Sequence, residues 1–203
     1  MPWAALREGL RGHESEAFAF KLMAGYELGA DSDAGERVVV PYLRAAGVGA
    51  LSGVIVSHND SDHSGGLRSV LRDVPAGWLL HGLPADSVLL HGAPAPRHCA
   101  RGQRWQWEGV SFAVLNPPPA AYAQGNRRDN DFSCVLKVSA GGRSLLITGD
   151  AERRGELELL ESGAEVSASV LVAGHHGSRT SSMAEFVAEV QPRYGVFTVG
   201  YRN

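Results

Sequence analysis

Apolar residues along this chain fall in short runs broken by glycine, proline and polar turns, and the period of each run predicts an element. Between Gly35 and Val48, residues Arg37, Val38, Val39, Tyr42 and Leu43 recur at helical spacing, and Pro41 makes this helix short or broken. Leu51 to Ser57 reads as a buried strand that runs straight into His58-Asn59-Asp60-Ser61-Asp62-His63, after which Ser64-Gly65-Gly66 opens a helix through Leu71. Trp78-Leu79-Leu80 is a weak strand, and residues 84–104 read as loop. Two hairpins follow: Trp105-Gln106-Trp107 and Val110 to Leu115 around Glu108-Gly109, then Phe132 to Val138 and Ser144 to Thr148 around Gly141-Gly142. Ala151 to Glu161 is helical, Ser169 to Ala173 a strand, Ser182 to Val190 an amphipathic helix and Tyr194 to Val199 a last strand. Strands alternating with helices predict an α/β fold.

Three of these strands end in metal-ligand chemistry: His58 to His63, Gly149-Asp150, and Gly174-His175-His176-Gly177-Ser178. Strand ends gathered at one sheet edge are where α/β folds place sites. A loop as short as His58-x-Asp60-x-Asp62-His63 aims several side chains at one point, and imidazole with carboxylate suits zinc, manganese or iron. Asp60 adds hard oxygen character and shifts preference toward manganese or magnesium, and Asp150 is placed to bridge two ions. A two-metal centre generates hydroxide near neutral pH and clamps the attacking and leaving oxygens of a phosphodiester. Helix capping by Asp62 or Ser64 is the competing explanation for single residues, and capping by Ser178 competes with anion binding there. His13, His81, His91 and His98 lack partners in sequence and read as surface or core residues. Trp105 and Trp107 share one strand face, for core packing or for stacking on bases.

Composition narrows the function. The 203 residues suit one large domain better than two, and a hydrophobic fraction of 44% excludes wholesale disorder. No apolar run reaches the length of a membrane helix and the first residues lack a secretory signal, so a soluble, non-exported domain is expected. A net charge of −3 argues against a protein that coats nucleic acid by bulk charge, but not against an enzyme whose metals supply positive charge. Cys99 and Cys134 form no CxxC pair; a single disulfide and two buried thiols are both open.

The run His58-x-Asp60-x-Asp62-His63-x-Gly65-Gly66, with Thr148-Gly149-Asp150 and His175-His176-Gly177-Ser178, resembles the metallo-β-lactamase superfamily. It is most similar to the metallo-β-lactamase-like C-terminal domain of ComEC-type competence proteins, the DNA-uptake channels of naturally transformable bacteria. Ser32 to Arg37, Pro41 to Leu43, Trp105 to Val110, Asn130 to Leu136 and Gly200 to Asn203 extend the likeness over about residues 26–203. The resemblance implies a four-layer αββα sandwich with metals at one sheet edge and a nuclease for the non-transported, single-stranded DNA during natural transformation. It implies two divalent ions, Mn²⁺ or Zn²⁺, held by His58, Asp60, Asp62, His63, Asp150 and His176, with Asp62 and His175 as catalytic groups. Ser178, Asn130 and Ser133 fall on the substrate side. Asp60 stands where most of the superfamily has histidine, and the superfamily's intermediate histidine ligand has no match, leaving one metal with fewer protein ligands.

Residues 1–25 carry neither of the family's opening strands and read as an unrelated segment joined to a truncated domain, 26–203, with an exposed sheet edge. The implied partners are DNA and the membrane channel of a full-length competence protein; the implied location is the bacterial inner membrane, on the periplasmic side if Cys99 and Cys134 pair. A metallo-hydrolase of another ester, thioester or β-lactam, and an inert DNA-docking fragment, are the alternatives.

Overall fold

A computed structural model describes residues 33–199. The atypical segment expected at 1–25, the expected boundary at 26 and the closing Gly200-Tyr201-Arg202-Asn203 lie outside the described residues. The chain forms two compact units that meet in sequence between His98 and Cys99, so the single domain favoured by length is internally divided.

The N-terminal unit is built around a three-stranded parallel sheet in the order β1-β2-β3, with β1 Val54–Val56, β2 Leu79–His81 and β3 Pro96–His98. The broken helix is present: a π-helical turn, Gly35–Val39, runs into α1, Val40–Ala45. Asp33 starts it, accepting from the Glu36 amide at 2.9 Å while its other oxygen accepts from Ser69 Oγ at 2.6 Å. Gly35 is required where it stands, because a Cβ there would come within 2.2 Å of the Gly66 carbonyl oxygen. Two helices follow β1: α2, Ser61–Ser64, and α3, Leu67–Asp73. Val40, Leu43, Val54, Val56, Leu67, Val70 and Leu79 close one apolar core. Strand β3 lies in the stretch expected to be loop. It opens on proline at the sheet edge and its first two residues are exposed, so it carries no apolar signal.

The C-terminal unit holds a six-stranded sheet in the order β4-β5-β6-β7-β8-β9. Its strands are β4 Arg104–Trp107, β5 Val110–Asn116, β6 Val135–Ala140, β7 Arg143–Ile147, β8 Val170–Val172 and β9 Tyr194–Val196. Both expected hairpins form, and their turn pairs Glu108-Gly109 (φ 44° and 82°) and Gly141-Gly142 (56° and 73°) take the left-handed backbone such tight turns need. Helix α4, Arg153–Glu161, links β7 to the parallel β8, and α5, Ala184–Val190, links β8 to the parallel β9. Leu146, Leu159, Leu171, Phe186 and Val190 lie in their shared core. Trp105 stacks on Phe112 at 5.1 Å and Trp107 meets the same ring edge-on at 5.2 Å, the packing contacts expected of them, and both indoles stay half-buried. The cysteines are paired: a Cys99–Cys134 disulfide ties the start of this unit to the approach of β6.

Candidate metal centre

In the N-terminal unit the ligand-type residues come from one loop. Strand β1 ends at Val56, Ser57 and His58 continue it, and Asp60 occupies the N-cap position of α2 without a capping hydrogen bond from its side chain. Asp62 and His63 fall inside that helical turn, so Asp62 does not cap it. Ser64 instead donates its hydroxyl back to the carbonyls of Asn59 and Asp60. His58 is fully buried and His63 nearly so. Ser57 Oγ lies 2.8 Å from His58 Nδ1 and 3.1 Å from His63 Nδ1. Its oxygen has two lone pairs and can accept from both rings, which leaves both Nε2 atoms as lone-pair donors to a metal. Ser57 carries no motif signal of its own; its place at the strand end, directly before His58, is the one trace of its role in the sequence.

The C-terminal unit supplies its groups from two strand ends. After β7, Thr148 Oγ1 donates to the Val172 carbonyl at 2.8 Å and so ties the ends of β7 and β8 together. The turn places Asp150, 2% exposed, with its amide donating to Ser133 Oγ at 3.0 Å. After β8, His175 (φ 45°), His176 (φ 55°) and Gly177 (φ 83°) form three successive left-handed residues. Each non-glycine one costs roughly 1–3 kcal/mol, which surrounding contacts must offset. A Cβ on Gly177 would meet the Phe197 ring at 2.7 Å. His176 Nδ1 sits 2.9 Å from the Thr198 carbonyl oxygen, which can only accept, so Nδ1 carries the hydrogen. Its Nε2 faces Asp150 Oδ2 at 3.3 Å.

The donor sets fit a metal. Three imidazole–carboxylate pairs have nearly one spacing: His58 Nε2–Asp60 Oδ2 at 3.4 Å, His63 Nε2–Asp62 Oδ2 at 3.4 Å and His176 Nε2–Asp150 Oδ2 at 3.3 Å. A charge-assisted hydrogen bond is shorter, about 2.7–2.9 Å. Two ligands each about 2.0–2.1 Å from a tetrahedral ion lie about 3.3–3.4 Å apart. In His176 the geometry also fixes the tautomer that ligation needs.

The remaining expected residues are placed as follows. His175 Nδ1 is 3.0 Å from Glu152 Oε1. Ser178 Oγ is 3.0 Å from Thr180 Oγ1 and accepts from the Thr180 amide at 3.3 Å; it caps this turn and not α5, whose N-cap position is Met183. Ser133 is fully buried and engaged with the Asp150 amide, while Asn130 is half-buried with its Oδ1 shielded from solvent. Asp131 pairs with Arg154 at 3.3 Å. His81 and His98, read as core or surface, pack against each other at 4.7 Å. Burial, with the charge of His98 second, lowers the His81 pKa from 6.5 to about 4.

The chain is 46% identical over 166 residues to competence protein ComA of Neisseria gonorrhoeae, covering 81% of this chain and 22% of ComA. It is 33% identical over 180 residues to ComE operon protein 3 of Bacillus subtilis, covering 83% of this chain and 22% of that protein. The chain is homologous to the ComEC-type competence proteins. It spans about a fifth of the length of these relatives. No protein-family model matches it. Among solved structures, CmlA, a diiron β-hydroxylase from Streptomyces venezuelae, aligns with a TM-score of 0.53 and 13% identity over 75% of this chain and 36% of CmlA. At that identity the likeness is one of fold alone. The fold of this ComEC homologue is mixed α/β with two sheets, compatible with the metallo-β-lactamase-like domain that the sequence resemblance implies.

Proposed function

We propose that this chain is the hydrolytic part of a ComEC-type competence protein, a metal-dependent phosphodiesterase that degrades the non-transported DNA strand during uptake. Homology to competence proteins supports the setting. The observation that carries the chemistry is the His176–Asp150 pair: Nδ1 holds its hydrogen on Thr198, so Nε2 and a carboxylate oxygen face each other at the separation of two metal ligands. We assign His58, Asp60, Asp62 and His63 of the N-terminal unit, and Asp150 and His176 of the C-terminal unit, as ligands of divalent ions, two in all, Mn²⁺ or Zn²⁺. Bound there, the ions supply charge for a phosphodiester oxygen and a lowered pKa for water.

The chain's own residues do the rest. Ser57 orients His58 and His63, Ser133 holds the Asp150 turn, and Thr198 orients His176. Asp62 and His175 serve as the reacting groups, with Asn130 and Ser178 on the substrate side. A disulfide persists in oxidising compartments, so Cys99–Cys134 supports the periplasmic face. No helix among the described residues is long and apolar enough to cross a membrane, and we assign membrane attachment to the channel of a longer protein.

The test is metal content of chelator-free protein together with cleavage of labelled single-stranded DNA, with and without Mn²⁺, against an Asp62→Ala/His63→Ala control. Metal-dependent cutting lost in the control is the expected result. Folded protein that binds no metal and cuts no DNA overturns the assignment. Metal binding with turnover of a lactone, thioester or β-lactam instead of DNA moves it to another substrate.

A further inference from the structure

The first turn of α4 grips the loop that carries the two histidines. Glu152, at the N-cap position, and Glu156, one turn on, lie on the same side of the chain's path and hold different parts of residues 174–183. Glu156 is fully buried, and its two oxygens accept from the amides of Ser182 and Met183, so it fixes the backbone where α5 begins. Glu152 holds side chains instead. Its Oε1 receives Thr180 Oγ1 at 2.7 Å and His175 Nδ1 at 3.0 Å, and Thr180 Oγ1 is itself 3.2 Å from that Nδ1. The neighbouring Arg153 amide donates to the Thr180 carbonyl at 3.0 Å, so backbone and side chain of Thr180 are both tied to this turn.

A carboxylate oxygen accepts and does not donate, so the hydrogen of the His175 ring sits on Nδ1 and Nε2 is the atom left for the substrate side. The ring is about one-third exposed, so solvent would otherwise let it turn and exchange tautomers. Its left-handed backbone adds a second demand for an outside constraint. Neither Glu152 nor Thr180 is a ligand-type residue of the three strand-end motifs, and nothing in the spacing of the sequence ties them to His175.

We propose that Glu152, with Thr180, is the positioning residue of His175, holding its imidazole in the Nδ1–H tautomer and in one rotamer. That His175 faces a phosphodiester rests on the function proposed above; the Glu152–His175 coupling does not.

The test therefore has two readouts. In metal-free full-length chain labelled with ¹⁵N-histidine, the ring nitrogens of His175, assigned with His175→Gln, are expected to show the Nδ1–H tautomer. Glu152→Ala is expected to abolish that preference, and Thr180→Val to weaken it. Glu156→Gln is expected to lower Tm while leaving the His175 signals in place. In DNA cleavage, Glu152→Ala is expected to lower kcat about 10–100-fold with KM within about twofold, the range for loss of a group that orients another. Glu152→Gln, which keeps an accepting oxygen, is expected to restore much of the rate. Ring signals of His175 that Glu152→Ala and Thr180→Val leave unchanged overturn the proposal, whatever the activity. Tautomer loss in a protein that cuts no DNA upholds the coupling and overturns the function assigned to it.

Discussion

The two units gather imidazole and carboxylate side chains in opposite ways. In the N-terminal unit, His58, Asp60, Asp62 and His63 lie within one strand-to-helix loop, and the hydroxyl between the two rings comes from the residue next door. In the C-terminal unit, Asp150, Glu152, His175, His176, Thr180 and Thr198 are brought together by α4 and by three strands that are parallel neighbours in the sheet. The first set costs little beyond the turn itself. The second exists only when β7, β8 and β9 are paired, because Thr148 bonds to Val172, and Ala173 to Val196, across those strands. A local set is robust to distant change; an assembled set inherits the stability of its sheet.

The strongest way to break that contrast is to damage each core. Phe186, 1% exposed, packs in the C-terminal core, and Phe186→Ala is expected to cost about 3–5 kcal/mol. Leu79, fully buried in β2, is expected to cost about 2–5 kcal/mol as Leu79→Ala. Urea unfolding gives the magnitudes, and amide exchange is expected to show lost protection around His176 for the first and around β1 for the second. Equal loss at both sets of ligands in either variant would erase the distinction.

Removing the Cys99–Cys134 disulfide, which joins residues 35 positions apart, comes next. Cys99→Ser/Cys134→Ser is expected to destabilise by about 2–4 kcal/mol, read as a lower urea midpoint. Exchange is expected to place the loss in the C-terminal unit, where both cysteines lie. Thiol labelling of non-reduced protein that finds two free thiols would remove the effect altogether.

Acid sharpens the comparison. His81, in the N-terminal unit, is neutral in the fold because burial lowers its pKa to about 4, and burial also lowers that of His98. Protons then bind the unfolded chain first, so stability present above about 6.5 is lost as pH falls toward 4. Glu156, in the C-terminal unit, behaves oppositely: burial raises its pKa above the ordinary 4.5, so its contribution is fully present below 4.5 and declines as pH rises through the raised value. Exchange measured at pH 7 and pH 4.5 is expected to show protection falling around β2 and β3 more than around α4. His81→Phe is expected to flatten the N-terminal response, and an unaltered pH profile in that variant would count against the buried neutral histidine.

The smallest expected effect is that of Ser133→Ala, which leaves the buried Asp150 amide without its acceptor. About 1–3 kcal/mol of stability is expected to go, with the change confined to the C-terminal unit and read as a modest fall in Tm.

Much of this molecule was legible along the chain. The hairpins at Glu108-Gly109 and Gly141-Gly142 were, because turn chemistry and period-two apolar patterning agree there. The broken helix at Pro41 and the helices at 153–161 and 184–190 were, because their apolar spacing is helical. Strand β3 was not, since an edge strand with proline and exposed residues needs no apolar signal. The role of Ser57 was hidden because a serine before a histidine is ordinary in sequence. Glu152 reads in sequence as one residue of the helix from Ala151 to Glu161, and its place at His175 depends on how α4 packs under the following loop.

The sequence by itself determined which chemistry is available. Imidazoles and carboxylates at three strand ends are a matter of residue type and spacing, and so is the resemblance those motifs carry. Tertiary structure decided which atoms of those residues are offered. The tautomer of His176 depends on a carbonyl 22 residues away, that of His175 on a carboxylate 23 residues away, and the pairing of Cys99 on β6. Hydrogen-bond direction is set by whichever acceptor the fold brings within about 3 Å, and neighbours along the chain do not specify that.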